Sequence, residues 1–344
     1  MSVDTDLLVV GGGPVGLAAA LAARARGLEV AVAEPRTAPV DKACGEGLMP
    51  SALARLARLG IDPPGRPFAG IRYVAERHEA YAPFRAGPGR GVRRTTLHAT
   101  LTDAARAAGA VLLPVRVDGI GQDAEGVDAG GLRARWVLAA DGLHSDVRRS
   151  LGLEQPRAAR GPAPRYGLRR HFAVAPWTDA VEVHWSLRGE AYVTPVADDL
   201  VGVAVLGPAG LQFAEALAGF PRLAERLAGA QPVTRLRGAG PLRQRTATVR
   251  RGRVLLIGDA AGYVDALTGE GLAVGVASAE AAVLAVATDR PESYERAWRQ
   301  LSRRYRLFTG ALLACSRPSL NRRCLVPVAA RVPRAFGAAV NFIA

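Results

Sequence analysis

The chain has 344 residues, 49% hydrophobic and 22% charged, which is enough to bury a large core in two lobes. Its net charge of +14 comes from arginines scattered along the whole length, with Lys42 the only lysine. No basic run is interleaved with aromatic residues, which excludes a stacking platform for nucleic acid.

Three cysteines, Cys44, Cys315 and Cys324, lack CxxC spacing and argue against both a disulfide framework and a structural zinc site. The histidines are not paired at ligand spacing, so no metal is expected. Residues Met1 to Asp6 are polar and acidic, unlike the basic start of a signal peptide. The uncharged run Leu7–Ala23 is interrupted by Gly11–Gly13, Pro14 and Gly16, and it is shorter than the roughly 20 residues a spanning helix needs. A cytoplasmic location is therefore the expectation.

That run reads instead as strand, turn and helix. Asp6–Val10 leads into Gly11-x-Gly13-x-x-Gly16, an Ala/Leu-rich helix follows, and Leu28–Ala33 forms a second strand ending at Glu34. Gly11 permits the tight turn. Gly13, followed by Pro14, lets backbone N–H groups approach a pyrophosphate at the positive helix end. Gly16 lets the helix lie close to the sheet. Glu34 stands where a carboxylate accepts ribose hydroxyls, with Pro35 and Arg36 beside it. This spacing predicts a dinucleotide site, the plain alternative being an ordinary strand–helix turn.

The loop after Glu34 leads to Lys42-Ala43-Cys44-Gly45-Glu46-Gly47. Lys42 is placed to neutralise pyrophosphate charge. Cys44 is read as lining a pocket, against the alternatives of a thiolate and of a small buried hydrophobe. Ser51–Leu59 has helical periodicity and Gly60 stops it. Residues 61–91 hold short strand pieces among Pro, Gly and Arg. Arg93-Arg94 opens a helix running to about Ala108, and Ala110–Val117 reads as a strand. Two short strand pieces precede a buried strand, Trp136–Ala140, that ends in Asp141-Gly142.

Beyond residue 160 four strand-like runs, Tyr166–Val174, Ala180–Ser186, Glu190–Val196 and Leu200–Leu206, predict an antiparallel sheet. Alternation puts Glu182 and His184 on one face and Val183 and Trp185 on the other. His171, His184 and Tyr192 are candidate polar groups of a cavity, although a surface or core role is the commoner fate of such isolated residues. A helix is predicted over Leu211–Leu227, then a strand into Gly258-Asp259 and a long helix near Leu272–Ala287. Residues 291–344 read as helical, broken by Pro318, Pro327 and Pro333. Their apolar residues, mixed with Arg317, Arg322, Arg323, Arg331 and Arg334, suit a helical cap first and peripheral contact with an anionic membrane second.

Two further motifs join the first. Asp141-Gly142-Leu143-His144-Ser145-Asp146-Val147-Arg148 fits D-G-x-x-S-x-x-R, and Gly258-Asp259-Ala260-Ala261-Gly262 is followed by Thr268-Gly269-Glu270-Gly271. In this order the three resemble the fingerprints of FAD-dependent monooxygenases of the p-hydroxybenzoate hydroxylase type, a superfamily that includes the geranylgeranyl reductases. The resemblance runs to about residue 290. It implies an α/β fold of two lobes, in which residues 1–70, 92–160 and 240–290 form a discontinuous Rossmann-like FAD-binding domain. Residues 71–91 and 161–239 would form an inserted antiparallel-sheet substrate domain, and 291–344 a C-terminal helical segment.

The resemblance also implies residue roles. Asp141 and Gly142 support the FAD pyrophosphate and the nicotinamide cofactor. Arg94 reaches the flavin, with Arg93 beside it competing for the assignment. Val117 packs on adenine, core packing being the alternative. Asp259, after Gly258, binds ribityl or ribose hydroxyls, a plain helix cap being the alternative. Gly269, Glu270, Gly271 and Leu272 bring a helix start to the flavin ring. Lys42, Cys44 and Gly45 belong to a segment that lines the flavin and substrate cavity in the reductase branch.

Gly262 stands where many of the hydroxylases carry His, and Ala266 where proline is usual. Gly262 together with Thr268–Gly271 resembles the reductase branch more. No Trp-x-Trp pair occurs, which argues against halogenation. No second GxGxxG occurs, so NAD(P)H is expected as a transient reductant. The resemblance thus implies an FAD-dependent oxidoreductase acting on a hydrophobic small molecule, its catalytic residues and assembly state unassigned. Hydroxylation of an aromatic or polyketide-like substrate is the first reading, and saturation of an isoprenoid double bond the second. A non-catalytic flavin-binding module is the reading from another class.

Overall fold

Leu7, Leu8 and Val9 expose no surface, and a strand without a solvent face belongs in the middle of a covered sheet. The computed structural model, which describes residues 4–156, 163–316 and 319–344, puts it there. Strand Thr5–Val10 is flanked in parallel by Leu132–Ala139 on one side and Val30–Ala33 on the other. Val254–Leu256 extends the parallel set beyond Leu132–Ala139, and Val111–Leu113 beyond Val30–Ala33. Short antiparallel strands Ile120–Gln122, Val127–Ala129 and Arg250–Arg251 complete this eight-stranded sheet.

The helix Pro14–Arg24 buries every residue from Gly16 to Ala23. It is held between the sheet and two helices, Arg94–Ala107 and Gly271–Ala287, and its alanines let the backbones come close.

A second eight-stranded sheet carries the four strands predicted past residue 160, at Arg165–Ala173, Ala180–Trp185, Glu190–Ala197 and Leu200–Pro208, all paired antiparallel. Gly70–Val74 joins it parallel to Ala180–Trp185, and Glu79–Pro83 forms an edge. A three-stranded sheet, Gly47–Leu48, Gly89–Gly91 and Arg66–Phe68, lies where the large sheets meet. Helices Glu292–Cys315, Ser319–Arg331 and Pro333–Ile343 form a further layer, whose apolar residues pack on the Gly70–Pro83 hairpin.

Several boundaries differ from expectation. The strand predicted to run to Val117 stops at Leu113, because Pro114 has no N–H to continue the ladder. The single helix expected over Leu211–Leu227 is two, Phe213–Ala218 and Pro221–Arg226, since Pro221 opens a new first turn after Gly219 caps the old one. Pro327 does not end its helix. Val326 and Ala329 are buried beside it, and packing there outweighs one lost hydrogen bond. Pro333 starts the last helix as a first-turn proline. Arg317 and Pro318 lie outside the described residues.

Candidate functional site

Strand register decides where the three motifs meet. Val10 is level with Ala33 and with Ala139, and Ala139 with Leu256. Gly11, Glu34, Ala140-Asp141 and Ile257-Gly258-Asp259 therefore leave the same edge of the parallel sheet, at the carboxyl ends of its strands, where such sheets bind ligands. Gly11 has φ +103°, and a Cβ on it would lie 2.6 Å from the Ala140 carbonyl oxygen. A Cβ on Gly16 would lie 1.9 Å from Gly11 O, so only glycine lets this helix start so close beneath the turn.

The second and third motifs are tied together by one side chain. Arg148, fully buried, donates to Leu143 O (2.9 Å), Ala260 O (3.2 Å), Gln244 Oε1 (3.2 Å) and Glu154 Oε1 (3.3 Å). Ser145 caps its helix by accepting from Arg148 N at 2.9 Å. This pair locks the two turns in place rather than reaching a ligand.

A cleft of about 330 Å3 opens at this edge, between the parallel sheet and the second sheet. Gly11, Gly13 and Pro14 line it together with Asp141, Gly142 and Asp259. Lys42, Cys44, Gly45 and Arg94 line it as well, and so do Gly269, Gly271 and Leu272. Arg36 reaches its rim.

Its polar groups are set for a partner. Arg94 is buried and its Nη1 has no hydrogen-bond partner, nor has the buried Oδ1 of Asp141. Burial pushes the Asp141 and Asp259 carboxyls up and the Arg94 guanidinium down, while Lys42, Arg94 and Arg148 pull Asp259 back toward ionisation. Asp259 lies within the first turn of the short helix Gly258–Ala261, whose N-cap is Ile257, so it does not stand at the cap position. Lys42 Nζ stands where a Cβ on Gly142 would be 3.2 Å away, close to both aspartate turns. An orphaned guanidinium N–H, an orphaned carboxylate oxygen and an ammonium beside bare glycine backbone are the donor and acceptor set that a pyrophosphate and polyhydroxyl chain require. Arg94 lines the cleft and Arg93 does not, which separates the two candidates.

Glu34 accepts from Gly12 N at 3.1 Å and from Arg36 Nε at 2.7 Å. Burial opposes its ionisation, yet these bonds hold its pKa below the usual carboxylate range. It buttresses the glycine turn from beneath.

The loop carrying Cys44 is fastened by a residue the motif reading passed over. Glu46 adopts φ +61° and is buried. One carboxylate oxygen accepts from Arg94 N at 2.8 Å and the other meets His171 Nε2 at 2.5 Å. Arg169, also buried, bonds Asp41 and Lys42 O (3.1 Å), and Thr194 donates to Gly45 O (2.7 Å). Glu46 lies 125 residues from His171, so no spacing announces the pair. Arg169 left no signal of its own, because its strand also carries Arg165, Arg170 and His171.

Cys44 is reached from the cleft, but protein crowds it and burial pushes its thiol up. It lines the cleft wall, its exposure removes the buried-hydrophobe alternative, and the raised thiol pKa runs against a thiolate. Tyr192 also lines the cleft. Its hydroxyl donates to Leu267 O at 3.2 Å, and burial pushes its pKa well above the usual value.

Several candidates are not on the wall. His184, a candidate for the cavity, lies on the face of the sheet turned away from this cleft, where Nε2 meets Glu182 Oε2 at 2.9 Å and Trp177 joins the same oxygen. The cleft side of that strand is Val181 and Val183. His171 serves Glu46 rather than the cavity. Val117 packs in the core, Pro35 is exposed beside the turn, and Gly16 and Gly258 sit underneath it. The Glu270 side chain is buried beside Thr268 rather than on the wall, and burial pushes its carboxyl up to about 7 against the pull of Thr268 and Arg304.

A family model described as FAD binding domain matches residues 4–189. A menaquinone reductase of Mycobacterium tuberculosis is 30% identical over 80% of this chain and 75% of its own. The digeranylgeranylglycerophospholipid reductase 2 of Methanosphaera stadtmanae is 27% identical over 78% of this chain and 74% of its own. The rifampicin monooxygenase of Streptomyces venezuelae is 31% identical over 44% of this chain and 34% of its own. Among solved structures, the p-nitrophenol 4-monooxygenase of Pseudomonas putida shares the fold, with a TM-score of 0.79 at 21% identity over 99% of both chains.

Proposed function

Because the chain belongs to the FAD-binding-domain family and is an FAD-dependent oxidoreductase, we propose that it is a reductase that saturates a carbon–carbon double bond in a polyprenyl chain, with NAD(P)H as its reductant. The observation that carries this reading is the side of the cleft formed by the second sheet. Ile71, Tyr73, Phe84, Val181, Val183 and Leu206 line it, an apolar surface suited to an unfunctionalised hydrocarbon. No ionised base stands among them to activate a phenol, since Tyr192 is kept a neutral donor. The two relatives matched over about four-fifths of the chain are reductases named for molecules with polyprenyl chains, whereas the monooxygenase match spans 44% of it.

In this reading Gly11, Gly13, Asp141 and Lys42 would hold the FAD pyrophosphate, Asp259 the ribityl hydroxyls, and Arg94 the flavin edge. The start of the helix Gly271–Ala287 lines the cleft, where its dipole would favour negative charge on the ring. Bound FAD would supply two-electron chemistry, by which hydride from NAD(P)H reaches one carbon of the double bond. The other carbon needs a proton. Cys44 keeps one on Sγ at the cleft wall, and the Glu46 N–H donated to that sulfur at 3.3 Å orients the thiol. Tyr192, bonded to Leu267, closes the cavity without taking the proton away.

Purified holoenzyme should oxidise NAD(P)H anaerobically when given a polyprenyl quinone or polyprenyl lipid, with mass spectrometry showing a product richer by one hydrogen molecule. Turnover that requires oxygen and yields a hydroxylated product would overturn this reading in favour of monooxygenation.

A further inference from the structure

From Arg296 to Ala344 the sequence holds ten arginines and neither Asp nor Glu. Arg322 is committed inside, bonding Glu190 Oε1 at 3.2 Å and Ser186 O at 3.1 Å. Among the described residues Arg323, Arg331 and Arg334 enter no ion pair. The helix Ser319–Arg331 buries Arg322, Val326 and Ala329 on one face. The opposite face carries Leu320, Arg323, Cys324, Val328 and Arg331 at three- and four-residue spacing, all exposed. Leu320 is 69% exposed, Val328 52%, and Val332 just beyond the helix 47%.

A row of bare aliphatic side chains flanked by unpaired arginines, on a segment that carries no acid of its own, is complementary to a surface that is anionic outside and apolar beneath. We propose that this face docks the protein peripherally on an anionic lipid bilayer. No described helix is long and apolar enough to cross a membrane, so the contact lies in the interface. The stripe presents aliphatic side chains and no aromatic ring, which favours lipid over nucleic acid. The next helix, Pro333–Ile343, packs Phe336 at a tilt against Tyr73, ring centroids 4.8 Å apart, and sends Val340 and Ile343 to the cleft wall. Docking therefore sets the layer over the substrate cavity against the lipid. The docking rests on surface chemistry alone, and its role in delivering a polyprenyl substrate rests on the function proposed above.

The FAD-loaded full chain is sedimented with phosphatidylglycerol vesicles and with phosphatidylcholine vesicles. Binding to the first alone, weakening with added salt, is expected. Joint replacement of Arg323→Gln, Arg331→Gln and Arg334→Gln should weaken it on the order of a hundredfold at unchanged FAD content. Leu320→Ser with Val328→Ser should weaken it further at moderate salt, where the apolar contact carries more of the binding. No sedimentation with phosphatidylglycerol overturns the proposal. So does an arginine triple variant that binds as well as the parent, or equal affinity for double-stranded DNA at the same salt. The assay reads no turnover, so its failure and the failure of the proposed reaction are separate results.

Discussion

Glu270 shows how a residue inside a binding motif serves a different end from the one its position suggests. It precedes the first turn of the long helix Gly271–Ala287, where the dipole favours a negative charge, yet its side chain makes no capping bond and one oxygen is buried without a partner. Burial wins and raises its pKa from 4.5 to about 7, so the folded chain holds the proton more tightly than the unfolded one. The sign follows directly. Stability from this group is fully present below about pH 4.5, declines as pH rises through about 7, and is flat above. Glu270→Gln mimics the protonated form. It should match the parent in thermal unfolding near pH 4 and exceed it at pH 8, by up to about 2 kcal/mol after allowance for solvent screening. Parallel melting curves across that range would show that Glu270 is not the buried acid.

The elements built from backbone requirements were legible in the sequence, because glycine, proline and strand-end acids act locally. Gly11, Gly13, Asp141 and Asp259 come together at one sheet edge because Val10, Ala139 and Leu256 end level, and the motif spacing anticipated that convergence. Alternation along Glu182–Trp185 names the two faces but carries no information on which face meets the cleft, and His184 lies on the face turned away from it. The strand read to Val117 ends earlier because Pro114 stops the ladder. The Glu46–His171 pair was illegible altogether, since only the packing of one lobe on the other brings those strands together. At this scale Gly16 is the most constrained position. Gly16→Ala places a methyl 1.9 Å from Gly11 O, against backbone that cannot give way without lifting the helix Pro14–Arg24 off the sheet. A loss of about 3 kcal/mol in urea unfolding, with little FAD retained on purification, is the expected outcome. A yellow, equally stable Gly16→Ala protein would show that the helix is free to shift.

Across the whole molecule the two large sheets share one strap, the segment Asp41–Leu48. Arg169 and Arg237 of the second sheet pair with Asp41, Thr194 holds Gly45, and Glu46 joins Arg94 on one lobe to His171 on the other. The strap carries Lys42 and Cys44 into the cleft, so the distance between the lobes also sets the position of those groups over the cofactor. Removing the Glu46 carboxylate leaves Arg169 and the Arg94 N–H short of an acceptor in a buried place, and breaking such a network costs about 3–5 kcal/mol. Glu46→Ala should therefore lower the melting temperature and speed FAD release. Glu46→Gln still offers an oxygen to Arg94 N, and should keep the cofactor while losing part of the stability. The comparison separates anchoring from charge. If both variants release FAD at the parental rate, the strap holds the lobes without positioning the cofactor, and the link between lobe spacing and the cleft is broken.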